Sequence, residues 1–459
     1  MHLHQTNNAE KPKIVIIGGG IAGLTTAFRL RQAGVQFKLL EQSSQTGGCI
    51  KTLKQKDYLL ELGPNTFLNS SDSLWNLAEN LNLREKRIST SPAISNKRYI
   101  YKNGRLIKVP NGPYILFSNL FSLKGRLRMM AEPFIKPSKD KKDESMASFF
   151  ERRFGHEVLD TLVTPFVSGI YAGDPSRLSI NTIFQKITSL EEKYGSIFKG
   201  MKELKGEIKS KGLGSFTEGI GLISQTIENI IKDSIIYNAR TVNIEKMPRG
   251  YKITCQSNCN TQDFLADVII CAAPAYSTSG FIKSIDANLS NQLSRIEYAP
   301  IIVIHTAYKK TDFTKKMDGF GFLVPRGQKV RMLGSLWSSS LFVNRAPEDE
   351  MLFTNFIGGM LDKEACDMSN EDLMRTLQKD LAKIVGIKTN PSFACLTRYS
   401  CAIPQLNLGH KRLISEIKDL SLTYQGLYLT GSYFNGVSVA NTIDHANETA
   451  KEVLGFIKH

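Results

Sequence analysis

The sequence predicts a mixed α/β (α+β) fold in which the chain starts a parallel-sheet unit, returns to it in the middle and closes it at its end. Three stretches carry that prediction. "KIVIIGGGIAGLTTAFRLRQAGVQFKLLE" (13–41) reads as strand, glycine turn, helix and second strand. "SIIYNARTVNIEKMPRGYKITC" (234–255) reads as two strands around a Pro-Arg-Gly turn, and "ADVIICAAPA" (266–275) as a strand leaving toward a loop. "GLYLTGSYFNGVSVANTIDHANETAKEVL" (426–454) repeats strand, glycine turn and helix at the far end. At 459 residues, two or three domains are expected rather than one core.

The first stretch opens on a short run rich in β-branched residues, 13–17, as a buried parallel strand does. It feeds directly into Gly18-x-Gly20-x-x-Gly23. Leu24, Ala27, Phe28, Leu30 and Arg31 follow at helical spacing, and Gly34 stands where a helix C-terminus favours glycine. The next strand ends in Glu41. In such a unit Gly18 permits the tight turn and Gly20 lets the backbone approach a pyrophosphate. Gly23 lets helix and strand pack closely, and Glu41 accepts from a ribose hydroxyl. An acid at 41 also disfavours a 2′-phosphate. This is a Rossmann-type dinucleotide site.

The continuation separates FAD from NAD. "TGGCIKT" (46–52), with Gly47 and Gly48, and "YLLELGPNTFL" (58–68), with Gly63, resemble the FAD-binding half of the amine-oxidase-type flavoproteins. That resemblance returns the C-terminal segment to the first domain. It aims the N-terminus of a helix running from about Val437 to Leu454 at the flavin, with Val437, Ser438 and Val439 near the ring. Ile21, Ala22, Val242 and Gly431 complete the cofactor residues that it implies.

Composition narrows the rest. The formal charge of +16 suits an anionic substrate or membrane surface. The basic residues are scattered, with clusters at 136–144, 192–212 and 308–316, and no aromatic-interleaved stripe or zinc finger appears. Nucleic acid is therefore not an expected partner. Seven cysteines (49, 255, 259, 271, 366, 395, 401) form no metal-like or disulfide-like framework, as expected of free thiols in a reducing compartment. No apolar run reaches the roughly 18 residues of a spanning helix. "MHLHQTNNAEKPK" lacks the apolar core of a secretory signal.

"TPFVSGIYAGDPSRLS" (164–179) has too many glycines, prolines and crowded aromatics for a simple helix or strand. It resembles the signature of the oxygen-dependent protoporphyrinogen oxidases. In the family's order follow "GLGSFTEGIGLI" (212–223), "GFLVPRGQKVRMLGSLWSSSLFVNRAP" (321–347), "RYSCAIPQLNLGH" (399–410) and "LYLTGSYFNGVSVANTIDHA" (427–446). The similarity spans residues 13 to 455.

The resemblance makes 164–179 a wall of a tetrapyrrole pocket. Phe166, Val167, Ile170 and Tyr171 would pack on the macrocycle, and Gly169 and Gly173 would allow close approach. Arg98 aligns with an arginine that pairs a substrate propionate, as a bidentate, permanently charged guanidinium does well. Leu323 and Phe342 match positions flanking the ring, and Asn65 a position beside flavin and substrate, with a catalytic orienting role. One departure is Tyr399-Ser400, where many relatives carry Trp-Pro. Cys401 follows closely, but the resemblance implies non-covalent FAD. Of the histidines, His305, His410 and His445 lie in ordered-looking segments without a catalytic pattern.

The implied reaction removes six electrons from protoporphyrinogen IX in three flavin cycles, with dioxygen reduced to peroxide. Coproporphyrinogen III is the alternative substrate on the same fold. An amine oxidase or carotenoid desaturase is more distant, and a flavin-stabilised binding protein is the non-enzyme reading. The implied domains are FAD-binding (10–81, 212–278, 410–459), helical and membrane-associated (82–206), and substrate-binding (279–409). "GPYILFSNLFSLKGRLRMMAEPFIK" (112–136) joins apolar residues to Lys124, Arg126 and Arg128, as an interfacial helix would. A cytoplasmic, peripherally membrane-associated enzyme is expected, with a homodimer as one open option.

Overall fold

The structure, a computed structural model, describes residues 12–138, 142–203, 212–257 and 260–458. Cys259 and parts of two basic clusters (139–141 and 204–211) lie outside the described residues. The chain divides into two compact units: Met1–Gly48, Ser224–Ile296 and Leu413–His459 form one, Cys49–Ile223 and Glu297–Arg412 the other. Segments 49–81 and 212–223 thus cluster with the second unit, and 279–296 with the first.

The first unit holds a five-stranded parallel sheet in the order Ile235–Ile236, Lys38–Leu40, Ile14–Ile17, Val268–Cys271, Leu427–Leu429. Ile14–Ile17 and Val268–Cys271 are buried throughout, which is why both read as continuous apolar runs. The helix Ile21–Gln32 follows the first strand, and Gly34 just past its end adopts φ +70°. The C-terminal helix packs on it: Thr26 Oγ1 donates to the Ala446 carbonyl at 3.4 Å and Arg29 Nε to Asn447 Oδ1 at 2.8 Å. That helix spans Val439–Phe456 and not 437–454, because Ser438 caps it and a short turn of helix, Ser432–Asn435, precedes it. An antiparallel three-stranded sheet, Arg240–Lys246, Tyr251–Ser257 and Asn260–Ala266, completes the unit.

The second unit is built on a seven-stranded sheet ordered Phe393–Pro404, Tyr298–Lys309, Glu350–Gly358, Gly334–Trp337, Gly321–Leu323, Arg98–Lys102, Arg105–Lys108. Its neighbours are antiparallel except for the pairing of Gly321–Leu323 with Arg98–Lys102. One face carries Tyr101, Ile302, Ile304, Phe322, Trp337 and Phe353, covered by the amphipathic helix Asn370–Val385 through Leu373, Leu377 and Leu381. Because side chains alternate across a strand, the register puts Arg98, Gly321, Leu323, Leu336, Phe356, Val303, Ile301 and Tyr399 on the opposite face.

The helical part of this unit corrects two expectations. Residues 164–171 are helical after all: Thr164–Tyr171 continues a π-helical turn, Leu159–Val163. Pro165 lies inside a continuous helical run, since Val163 and Thr164 are themselves helical, and the wider π-helical turn just before it accommodates the proline ring and the missing N–H. Ala172, at φ +48°, ends the helix, and Asp174 closes the following turn by accepting from the Ser176 amide at 2.8 Å. Residues 112–136 are not one interfacial helix but three short pieces, Gly112–Phe117, Leu123–Met130 and Glu132–Phe134. Ser122 caps the middle piece, accepting from Gly125, and Leu120 and Phe121 before it are core residues.

Candidate active site

In the first unit the glycine loop has the shape a dinucleotide needs. Gly18 adopts φ +106°, which L side chains rarely adopt, and a Cβ on Gly23 would sit 1.9 Å from the Gly18 carbonyl oxygen. A Cβ on Gly20 would meet nothing within 4 Å: the space above it is open. Gly20 is also the N-cap of Ile21–Gln32 and offers no side-chain acceptor, so the first amides, at Ile21 and Ala22, have no capping partner. Glu41 is buried, one oxygen accepting from the Gly19 amide at 2.7 Å and the other from Ser43 at 2.8 Å. The 46–48 segment lies against the loop through the Gly47 amide, which donates to the Gly19 carbonyl at 2.8 Å, and Gly48 stands at φ +59°. Thr46 Oγ1 is buried without a hydrogen-bond partner. An open floor, uncapped helix amides, a fixed acid and an orphaned hydroxyl together suit a pyrophosphate and ribose. Val242 is the bulged residue between Thr241 and Asn243 in the antiparallel sheet, and Gly431, two residues past the last parallel strand, is the N-cap of the short helix Ser432–Asn435. Val437 and Ser438 precede the C-terminal helix and Val439 begins it.

Gly63 and Asn65 belong to the second unit. A Cβ on Gly63 would sit 2.1 Å from the Cys49 carbonyl, and Asn65 Nδ2 donates to the Gly63 carbonyl at 3.0 Å. Of the residues expected to touch substrate, the structure brings Phe166, Gly169 and Leu323 together. A Cβ on Gly169 would come within 2.4 Å of Leu323 Cδ2, and Phe166 packs in the same apolar cluster, its ring 5.9 Å from that of Phe184. Leu323, Leu336, Phe356 and Tyr399 are half-buried on one sheet face, and burial pushes the Tyr399 phenol up to about 12, so it stays protonated. Arg98 stands on the same face, exposed, its Nε donating to the Ser95 carbonyl at 3.2 Å and its guanidinium 4.6 Å from the centre of the Phe320 ring. Neighbouring cations are neutralised: Lys97 by Asp318 at 2.6 Å and Lys102 by Glu157 at 3.3 Å. Arg98 has no carboxylate partner among the described residues. Phe342 is buried, with the Arg345 guanidinium 5.3 Å from its ring centre.

Sequence reasoning missed the pair next to it. Arg345 and Glu61 are both buried and form an ion pair at 3.3 Å. Burial pushes the Glu61 carboxyl up, against the pull of Arg345 and the hydrogen bond from Thr52. The only available signal was an acid ending an apolar strand, "YLLE", and an arginine in "NRAP"; nothing in either pattern pairs them. His305 and His445 are buried and neutral, each lowered to about 4 by burial. His445 accepts or donates at Nδ1 with Thr430 Oγ1 (3.0 Å) and stacks on Phe434 at 4.3 Å.

The model of the flavin containing amine oxidoreductase family matches residues 21–454. The chain belongs to that family. As a family member it is a flavin-dependent oxidoreductase. It is 32% identical to "Protoporphyrinogen oxidase 1, chloroplastic" of Arabidopsis thaliana, over 96% of this chain and 88% of that protein. It is 28% identical to "Coproporphyrinogen III oxidase" of Bacillus subtilis (strain 168), over 97% of this chain and 99% of that one. Among solved structures, a provisionally named protoporphyrinogen oxidase of Exiguobacterium sp. 255-15 superimposes with a TM-score of 0.85 at 22% identity, covering 98% of this chain and 99% of that one. That last likeness speaks for the fold. Among the described residues no helix is long and apolar enough to cross a membrane.

Proposed function

We propose that this member of the family oxidises protoporphyrinogen IX to protoporphyrin IX, using non-covalent FAD and dioxygen. The observation that carries the reading is the second unit's apolar sheet face, walled by the helix Thr164–Tyr171 and bearing a guanidinium, Arg98, that no carboxylate among the described residues neutralises. A flat hydrophobic dicarboxylate supplies what that face lacks. When bound, FAD would accept two electrons per cycle, and three cycles would remove six hydrogens from the porphyrinogen while three dioxygen molecules become three hydrogen peroxide molecules.

The chain's own part is binding and orientation. Ile21 and Ala22 amides, with Gly18, Gly20 and Gly23, hold the pyrophosphate; Glu41 holds the ribose; Gly47, Gly48, Gly63, Val242, Gly431 and Val437–Val439 line the rest of the cofactor. Leu323, Phe166 and Gly169 hold the ring flat, Phe342 flanks it, and Arg98 takes a propionate. Asn65 orients the reacting group. The substrate-binding function thereby falls to the second unit and cofactor binding chiefly to the first.

Aerobic turnover of both porphyrinogens, followed by porphyrin fluorescence and peroxide, tests this directly. Faster oxidation of protoporphyrinogen IX supports it; preference for coproporphyrinogen III moves the enzyme to the alternative substrate. Arg98→Ala should raise KM about 10- to 100-fold, the worth of a charge-assisted hydrogen bond, with a smaller change in kcat. On the dimethyl ester of the substrate, wild type and variant should then be equal.

The reading includes peripheral attachment to the cytoplasmic side of a membrane. Phe117 and Phe134 are 77% and 87% exposed, beside exposed Tyr114, Leu123, Leu127 and Met130. Phe117→Ser with Phe134→Ser should abolish flotation with anionic liposomes. Charge reversal at Arg126 or Arg128 is a poorer test: Arg126 donates to the Phe121 carbonyl, and Arg128 to the carbonyls of Arg152 and Arg153 at a helix C-terminus.

A further inference from the structure

In the second unit, Glu61 ends the hairpin Thr52–Gln55 and Tyr58–Glu61, and Gly63 and Asn65 come next in the chain. Every polar atom of Glu61 that could let it turn is engaged. Oε1 accepts from the Ile220 amide at 2.9 Å and pairs with Arg345 at 3.3 Å. Oε2 accepts from Thr52 Oγ1 at 2.6 Å, and its main-chain carbonyl meets His305 Nε2 at 3.2 Å. Arg345 is held in turn: Nη2 donates to Ser215 Oγ at 2.9 Å, and its carbonyl accepts from the Leu59 amide at 3.1 Å. Beyond Glu61 the Leu62 amide donates to the Lys51 carbonyl at 3.0 Å, and Gly63 packs on the Cys49 carbonyl.

Holding the hairpin does not need a buried charge. Tyr58 and Leu60 already pack with Ala307, Leu352 and Phe393 in an apolar cluster. A buried ion pair is weak evidence for stability, since desolvation offsets most of the attraction and an apolar pair often does as well. What the pair adds is direction: it fixes the point from which the chain runs, two and four residues on, to Gly63 and Asn65.

We propose that Glu61 and Arg345 are positioning residues, a buried pair that sets the placement of Asn65 for the reacting group of the substrate. This rests on the porphyrinogen reading given above. Neither residue touches substrate; both act through the Gly63–Asn65 turn. A misplacement of about 1 Å is enough to lower a rate 10²-fold.

The test uses the flavin-loaded enzyme with Glu61→Gln, Arg345→Met, the double variant, and Glu61→Asp. Each single neutralisation strands a buried charge and should lower Tm, whereas the double variant should return Tm close to wild type. Positioning predicts that the double variant nevertheless keeps a kcat reduced about 10-fold or more, with KM changed less than about 2-fold. Glu61→Asp keeps the charge but shortens its reach, and should lower kcat with flavin content unchanged, which covers the case in which the double variant does not fold. Recovery of kcat together with Tm in the double variant, or wild-type kcat in Glu61→Asp, would overturn the proposal. If the wild-type enzyme oxidises neither porphyrinogen, the functional reading fails first. The visible circular dichroism of bound flavin then decides separately: a change in the double variant keeps Glu61–Arg345 as a device that places the 63–65 turn, and an unchanged spectrum ends it.

Discussion

In the first unit the proposed cofactor loop is assembled from residues within about thirty positions of one another: Gly18, Gly20, Gly23, Glu41, Gly47 and Gly48. Backbone amides and carbonyls do the work, and the side chains that matter are mostly absent ones. In the second unit the proposed substrate wall draws on Arg98, Phe166, Gly169 and Leu323, contributed by neighbouring strands of a seven-stranded sheet and one helix laid against it. Here side-chain shape and charge do the work. A local loop tolerates almost no change in its backbone, whereas a wall built from distant strands can yield at one side chain and keep its architecture. The two should therefore fail differently.

The largest effect is expected at the loop. Gly23→Ala would place Cβ 1.9 Å from a backbone oxygen, an atom that cannot swing aside, so the helix must leave the strand. Flavin content, read as the ratio of visible to protein absorbance, should fall at least about 10-fold, with a loss of stability of several kcal/mol. Gly20→Ala sharpens the point. Its Cβ meets no protein atom and its φ of −71° suits alanine, so the apoprotein should fold as wild type. Loss of flavin from that variant would show that the empty space belongs to the cofactor. Full retention of flavin would break the assignment of Gly20 to the pyrophosphate.

At the wall the expected effect is smaller. Gly169→Ala brings Cβ within 2.4 Å of Leu323 Cδ2, the far end of a flexible side chain. Alanine is also favoured over glycine in a helix by about 1 kcal/mol, so stability should change little. Leu323 must move, and it moves within the wall. KM for the porphyrinogen should rise several-fold with flavin content unchanged, and Gly169→Ala with Leu323→Ala should recover part of the loss. A variant that loses flavin instead would merge the two modes of failure and undo the contrast.

The same contrast explains what was legible beforehand. The strand, the glycine spacing and Glu41 occur in one stretch of sequence whose spacing is itself the geometry, so the loop could be read residue by residue. The helix 164–171 is hidden in the sequence because Pro165 and Gly169, with Gly173 and Pro175 just beyond, look like breakers. The π-helical turn before Pro165 takes up the proline, and Gly169 is the price of packing against Leu323. The Glu61–Arg345 pair was invisible because 284 positions separate its members and only sheet register and burial join them. The interfacial helix expected at 112–136 was composition without periodicity: Leu120 and Phe121 turn into the core while Phe117 and Phe134 stay outside.

The smallest effect is expected at His445, in the first unit, where a side chain rather than the backbone is at stake. Burial lowers its imidazole from 6.5 to about 4. The unfolded chain therefore takes up a proton as pH falls through about 6.5 while the folded protein does not, and stability present above that pH is lost progressively toward pH 4. His305 acts in the same sense, whereas Glu61 and Asp380, whose carboxyls burial raises, act in the opposite one. Whole-protein pH curves mix these contributions, and a single substitution separates them. His445→Gln removes the titrating ring while keeping a group that can bond Thr430, so it should lose some Tm at pH 7 with the stack on Phe434. Between pH 7 and pH 5, however, wild type should lose about 2 °C more than the variant. Parallel curves would mean that the ring takes its proton in the folded protein without cost, and that the contact with Thr430 and Phe434 opens readily.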